Sequence, residues 1–403
     1  MNQNLSLSIT APTPTDTSEE VFRVGIQIPA DRGGKWSDDL VLANALADRI
    51  EDAGFEAKLL STPAHVQRFI PDLLIAFHVD QTLELFEMCK AAKDCGAAVA
   101  VYALHPPFAG VRAYLESRLP WILGLAARLS GRDPVKFFYF MELLRRFKRA
   151  DYLAFKYLLS GRKQLLEDLS SSIDYLLLSG RSEEDEIESD FFELHRIPSR
   201  VVPPPVELPL DADGVAHDSP YQNIRWDRHF FIAGPIESRK NQNFIVQIAQ
   251  EVPDAEFVFA GQLNQAEPWY CAEFKRLIAE SSNCRWVGHL PMKAQMNHII
   301  FADAVLNSSW FEVFSLTNLH GYTLGTPIVS AMHSHDLELL QEGVIRYDPE
   351  EAADLLAALD KIPARWPDGL TEEAPINFDF LSQSWTGFDE FMKYVQKRHA
   401  EWK

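Results

Sequence analysis

Ten short apolar runs alternate with segments of helical periodicity, and that alternation restricts the chain to one class of architecture. The runs fall at residues 22–28, 56–60, 73–77, 97–104 and 173–178, then at 230–233, 256–260, 285–287, 304–306 and 328–329. Strands that are apolar throughout bury both faces, which is the situation of a parallel sheet covered by helices on each side. The pattern halts at Pro203-Pro204-Pro205 and a polar segment, 211–218, and then starts again. The expected fold class is therefore α/β, with two Rossmann-like domains built on parallel sheets. A leading Gly-Gly loop, Gly33-Gly34, joins the first strand to a helix with Ser37 as N-cap and Gly54 as its stop.

The most informative stretch is 310–329. A buried strand precedes it, Gly325-Thr326-Pro327 closes it, and a helix lies between. Glu312 stands just before Phe314-Ser315-Leu316-Thr317 at the start of that helix. Backbone N–H groups at a helix N-terminus suit a phosphate, and a carboxylate beside them suits sugar hydroxyls. Together they suit a nucleotide sugar.

The spacing of Glu312, the Phe-Ser-Leu turn and Gly325-Thr326-Pro327 resembles the donor-site signature of family 4 glycosyltransferases, retaining enzymes of the GT-B fold. The resemblance spans 22–402 and implies two domains whose sheets face each other across a cleft. Residues 1–21, rich in Thr, Ser and Pro, read as a disordered leader, and the resemblance implies an N-terminal acceptor domain (22–210), a linker (211–224) and a C-terminal nucleotide-sugar domain (225–380). A final helix (381–403) is expected to cross back to the first domain. Where the family has a second Glu, seven residues after the first, this chain has His320. The family pattern Gly-Arg, four residues, Lys is met by Gly234 and Lys240, with Pro235 at the Arg position and Arg239 as a substitute cation. His105, directly after a strand, matches the histidine that lies beside the reacting sugar. Gly261 and His289 fall in loops that line the donor, and Gly33-Gly34 in one that faces the acceptor. The implied reaction moves a sugar from a nucleotide-diphosphate donor, a UDP-sugar as first expectation, to a glycan, lipid-linked or protein acceptor. His105 and Glu312 are the catalytic candidates, and neither a cofactor nor a metal is implied. The departures at His320, Pro235 and Pro205 leave a second reading: a catalytically impaired scaffold that partners another glycosyltransferase.

Charge separates the remaining function classes. The net charge is −20, yet 107–163 holds twelve Arg/Lys against four Asp/Glu. An acidic chain without aromatic-rich basic strands argues against nucleic acid as partner. The basic segment, with Arg145, Arg146, Lys148 and Arg149 among aromatic and aliphatic residues, fits an anionic membrane surface, an acidic protein partner, or an ordinary core helix with a solvated basic edge. No apolar run approaches the roughly 20 residues of a membrane span. Cys89, Cys95, Cys271 and Cys284 form no CxxC pair and read as reduced core thiols. The expected location is cytoplasmic, peripheral at the inner face of the membrane. His333 and His335, two apart in a loop with no third ligand in view, are not read as a metal site.

Overall fold

The computed structural model describes residues 21–28, 38–117, 119–147, 152–205, 219–221, 226–340, 343–364 and 377–402. The expected leader up to residue 20 and most of the expected linker, together with Gly33, Gly34, Ser37, Lys148 and Arg149, lie outside the described residues, as does the side chain of Arg145.

The first lobe runs β1 (Arg23–Gln27), α1 (Asp38–Asp52), β2 (Glu56–Leu60), α2 (Pro63–Phe69), β3 (Leu73–Phe77), α3 (Thr82–Asp94) and β4 (Ala98–Tyr102). It continues through α4 (Phe108–Glu116), α5 (Trp121–Leu129), α6 (Pro134–Phe147), α7 (Tyr152–Ser170), β5 (Tyr175–Leu178), α8 (Arg181–Asp190) and β6 (Ser199–Val201). The second lobe runs β7 (Arg228–Ala233), α9 (Gln242–Ala249), β8 (Ala255–Ala260), α10 (Pro268–Glu280), β9 (Cys284–Trp286) and α11 (Met292–Phe301). After these come β10 (Ala304–Asn307), α12 (Leu316–Thr323), β11 (Ile328–Ala331), β12 (Val344–Tyr347), α13 (Ala352–Leu359) and α14 (Phe378–Trp402).

Each lobe holds one six-stranded sheet, with orders β2-β1-β3-β4-β5-β6 and β12-β11-β10-β7-β8-β9. Every strand pair is parallel, as continuous apolar runs demand. The apolar side chains of β3 and β4 are fully enclosed. Chain order reverses once per sheet, between β1 and β3 and between β7 and β10. Loops leaving the carboxyl ends of strands at such a point diverge and open a crevice.

β6 and β12 are edge strands, the first exposed along its length and the second half-buried, and their Arg-containing sequences hide them from an apolar-run search. The helix α14 packs Phe388, Phe391, Met392 and Val395 onto the first sheet beside Val24 and Tyr175. Burying those four side chains contributes about 2 kcal/mol each. Its start touches the other lobe, where Phe380 meets the ring of Tyr322 at 4.9 Å. One helix thus straps both lobes together.

The basic segment is helical with much of its apolar side in the core, the ordinary alternative that its spacing allows beside a membrane or partner surface. It forms α4 to α7, the crossover from β4 to β5, and many of its aromatics are core. Leu143, Tyr157, Leu165 and Leu166 pack against α3 beneath the first sheet, while Phe108, Val111, Tyr114 and Phe137 form a cluster with Phe311 of the second lobe. Arg146 is not a free surface cation, because its guanidinium pairs with Glu87 of α3 at 2.7 Å. Exposed apolar residues remain on α5 and α7, among them Leu129, Tyr152 and Leu159. No helix among the described residues is long and apolar enough to cross a membrane.

Candidate active site

At the switch point of the second sheet, the loop after β7 and the loop after β10 bring three charged groups together. Lys240 Nζ donates to Glu312 Oε1, and Arg239 Nη1 donates to Glu312 Oε2 at 3.0 Å. Ser309 Oγ adds a hydrogen bond to Glu312 at 2.6 Å, and Ser308 Oγ fixes the Lys240 carbonyl at 2.6 Å. Lys240 and Glu312 are buried, and Arg239 is partly open. Burial works to raise the Glu312 carboxyl, but Arg239 and then Lys240 overcome it and hold the group down at about 2.

The backbone beneath the cluster is unusually tight. Gly234 and Gly261, at the ends of β7 and β8, have φ of 142° and 150°. A Cβ on Gly261 would lie inside the Gly234 carbonyl, and one on Gly234 would touch the Lys240 stem at 3.4 Å. The two bare backbones let Lys240 lie along the loop and reach Glu312.

Two parts of the expected donor site differ from expectation. The N-terminus of α12 is already served from within: Ser315 Oγ accepts from the Asn318 amide, and the buried Asp336 carboxylate binds the Ser315 amide and Asn318 Nδ2. Burial pushes Asp336 up to about 6 despite those bonds. Phe314 and Leu316 turn their side chains into the apolar cluster of Leu319, Ile328 and Leu340, while Thr317 is half-buried. His320, expected at a ribose, is buried in α12. His289 is exposed on the loop after β9.

His105 is the largest correction. It is 0% exposed instead of facing an open cleft. Its amide donates to Glu183 Oε1 at 2.6 Å, Nδ1 lies 3.1 Å from Asp80, and Nε2 lies 3.3 Å from Asp190. Phe108 and Phe191 close over the ring, their centroids 4.3 and 5.1 Å away. Burial disfavours its charge, but Asp80 and then Asp190 outweigh that and raise the imidazole to about 10. The sequence shows α8 only as an acidic helix; folding turns Glu183, Glu186 and Asp190 onto this histidine.

The two lobes meet directly beside the cluster. Tyr114 of α4 shares a 2.8 Å hydrogen bond with Ser238, and its ring meets Phe311 edge-on. A Cβ on Gly110 would come within 2.6 Å of His333 and 2.9 Å of Phe311, so α4 lies flat on the second lobe. Farther along the interface, Glu338 accepts from the amides of Arg181 and Ser182 at 3.1 and 2.9 Å and caps α8 from across the lobes. Glu237, paired with Arg239 at 3.0 Å, and Ser309 were not singled out from sequence. The polar run Asn307-Ser308-Ser309 directly after a buried strand was the available signal.

A pH prediction follows from Glu312. Its folded value lies below its unfolded value of 4.5, so its contribution is complete above about pH 5 and is lost as pH falls toward 2. The loss is at most roughly 3–4 kcal/mol. Urea denaturation at a series of pH values is expected to show this slope in the native chain, and a flatter one in Glu312→Gln. Equal slopes would remove the pairing from the account.

No family model matches the chain, and no curated protein matches it in sequence. Solved structures do match. Sucrose-phosphate synthase from Thermosynechococcus elongatus aligns over 95% of this chain and 100% of its own, with TM-score 0.67 and 11% identity. Anabaena HepE in complex with UDP and glucose aligns over 94% and 98%, with TM-score 0.56 and 12% identity. The trehalose-6-phosphate protein of E. coli bound with UDP-2-fluoro glucose aligns over 93% and 98%, with TM-score 0.58 and 10% identity. With the two parallel sheets, these likenesses make the fold GT-B.

Proposed function

We propose that the chain is a glycosyltransferase of the family 4 type, moving a sugar from a nucleoside-diphosphate donor to a glycan, lipid-linked or protein acceptor with retention of configuration. The observation that carries this reading is the convergence of Arg239, Lys240 and Glu312 at the switch point between β7 and β10. Breaking a sugar–phosphate bond leaves negative charge on the departing diphosphate. Lys240 and Arg239, held in a largely water-excluded loop, can stabilise it as charge develops. Glu312 then supplies acceptors for sugar hydroxyls while Ser309 keeps it oriented. UDP and UDP-2-fluoro glucose, named with two of the similar structures, make uridine the first nucleotide to test.

A specific observation also favours the impaired-scaffold reading. Glu312 and Glu237 already match the two cations, and Asp336 already occupies part of the α12 terminus. A diphosphate must compete with these internal anions. Thermal-shift measurement against uridine, guanosine, adenosine and thymidine diphosphates and their sugars separates the two readings. A transferase is expected to be stabilised by one nucleotide series, by about 2.7 kcal/mol at a hundred times its Kd. No response to any of them, with a stable complex of the chain and another glycosyltransferase, sinks the enzyme reading in favour of the scaffold.

A further inference from the structure

Three ligand-type groups of the first lobe face one another at the lobe interface, and His335 of the second lobe lies beside one of them. His105 Nε2 lies 3.3 Å from Asp190 Oδ2 and 4.0 Å from Glu186 Oε2. These three ligand atoms all lie within 4.8 Å of one another. From the second lobe, His335 brings Nε2 to 3.9 Å from the same Glu186 oxygen. His335 is 4% exposed, and its Nε2 has no hydrogen-bond partner.

The proton positions follow from the neighbours. Ser182 Oγ gives its single hydrogen to Glu338 at 2.9 Å, so it can only accept from His335 Nδ1 at 2.9 Å. With Nδ1 protonated, and with the ring also beside the His105 backbone carbonyl, neutral His335 keeps its Nε2 lone pair on the side of the Glu186 carboxylate. At 3.9 Å the two are too far apart to share a hydrogen bond, and both are acceptors. His105 differs: its Nδ1 donates to Asp80 and its Nε2 is engaged with Asp190 at 3.3 Å, so a metal there must displace the Nε2 proton. The charge is also unbalanced. Asp80, Glu183, Glu186 and Asp190 surround one imidazole, with Arg162 of α7 as the nearby guanidinium.

We propose that His105, Glu186, Asp190 and His335 form a divalent-cation site that clips the two lobes together, with Zn²⁺ as the favoured ion. Two imidazoles and two carboxylates are a zinc-type set, whereas Mg²⁺ and Ca²⁺ take oxygen ligands. Ligands of a four-coordinate zinc lie about 3.4 Å apart, given bonds near 2.1 Å, so the 3.3 and 4.0 Å spacings of His105 to Asp190 and Glu186 need only a small contraction, while His335, 3.9 Å from Glu186 but outside the set mutually within 4.8 Å, must swing in to complete the shell. Asp80 on His105 Nδ1 and Ser182 on His335 Nδ1 are the outer partners that fix ligating histidines in orientation. Binding replaces any proton on His105 Nε2 with the metal bond and releases it to solvent. The site shares no ligand with the Lys240–Glu312 cluster, although the loop of His335 pairs with Glu312 through Ser334, and it stands whether or not the chain transfers sugars.

The test uses the full chain without a histidine tag, stripped with a chelator and titrated with Zn²⁺, Co²⁺ and Mg²⁺. The expected result is one Zn²⁺ retained per chain and a raised Tm, Co²⁺ bands of tetrahedral intensity, and no Tm response to Mg²⁺. Asp190→Asn and His335→Gln, which keep side-chain size, are each expected to weaken Zn²⁺ binding about 100-fold. X-ray absorption at the zinc edge of the unsubstituted protein is expected to show nitrogen and oxygen neighbours only, which keeps the test valid if a variant fails to fold. Absence of zinc retention and of any Tm rise overturns the proposal. So does sulfur in the coordination shell, or full zinc affinity in both variants.

Discussion

Replacing Lys240 by alanine is expected to reduce the affinity for a nucleoside diphosphate about 100-fold and to bring sugar transfer to background. Lys240 is buried on the loop after β7, and its ammonium is bound to Glu312. Removing it takes one charge-assisted bond from the donor, worth about 1.5–3 kcal/mol, and leaves Glu312 with a smaller share of positive charge. Both changes work against an incoming phosphate. Arg239→Ala is expected to cost less, because that guanidinium is more exposed and already divided between Glu237 and Glu312. Calorimetric titration with UDP, below the unfolding temperature of each variant, measures the difference. An unchanged affinity in Lys240→Ala would remove the donor site from this loop.

A second large effect is expected at Gly261. Alanine there must adopt a φ of 150°, and its Cβ would collide with the Gly234 backbone, which has no side-chain rotation to relieve it. Backbone strain and overpacking together are expected to destabilise the protein by about 4 kcal/mol. Gly288→Ala is the matched control: its φ is 75°, yet its added Cβ meets nothing within 4 Å. It is expected to lose about 1 kcal/mol. Urea denaturation of both variants checks the contrast, and equal losses would mean that the close approach of β7 and β8 is not what makes glycine necessary.

The repeated apolar runs were sufficient to specify two parallel sheets, because a strand buried on both faces must be apolar along its whole length. The placing of Lys240 and Glu312 in loops at the switch point was legible for a related reason: each follows a buried strand whose carboxyl end opens there. Arg146 and His105 were misread, and the cause is the same in both. Their partners, Glu87 and the acids of α8, lie in other helices, and no periodicity along one segment records what a neighbouring helix presents.

The sequence by itself determined the class of fold, the two-lobe division and the loops that carry the charged cluster, since all three follow from local patterns of burial and polarity. Only the tertiary structure decided which charges are already paired, which histidines are enclosed, and that His335 meets Glu186 across the lobes. Those outcomes depend on distances between residues far apart in the chain, which are set by how helices settle on the sheets and on each other.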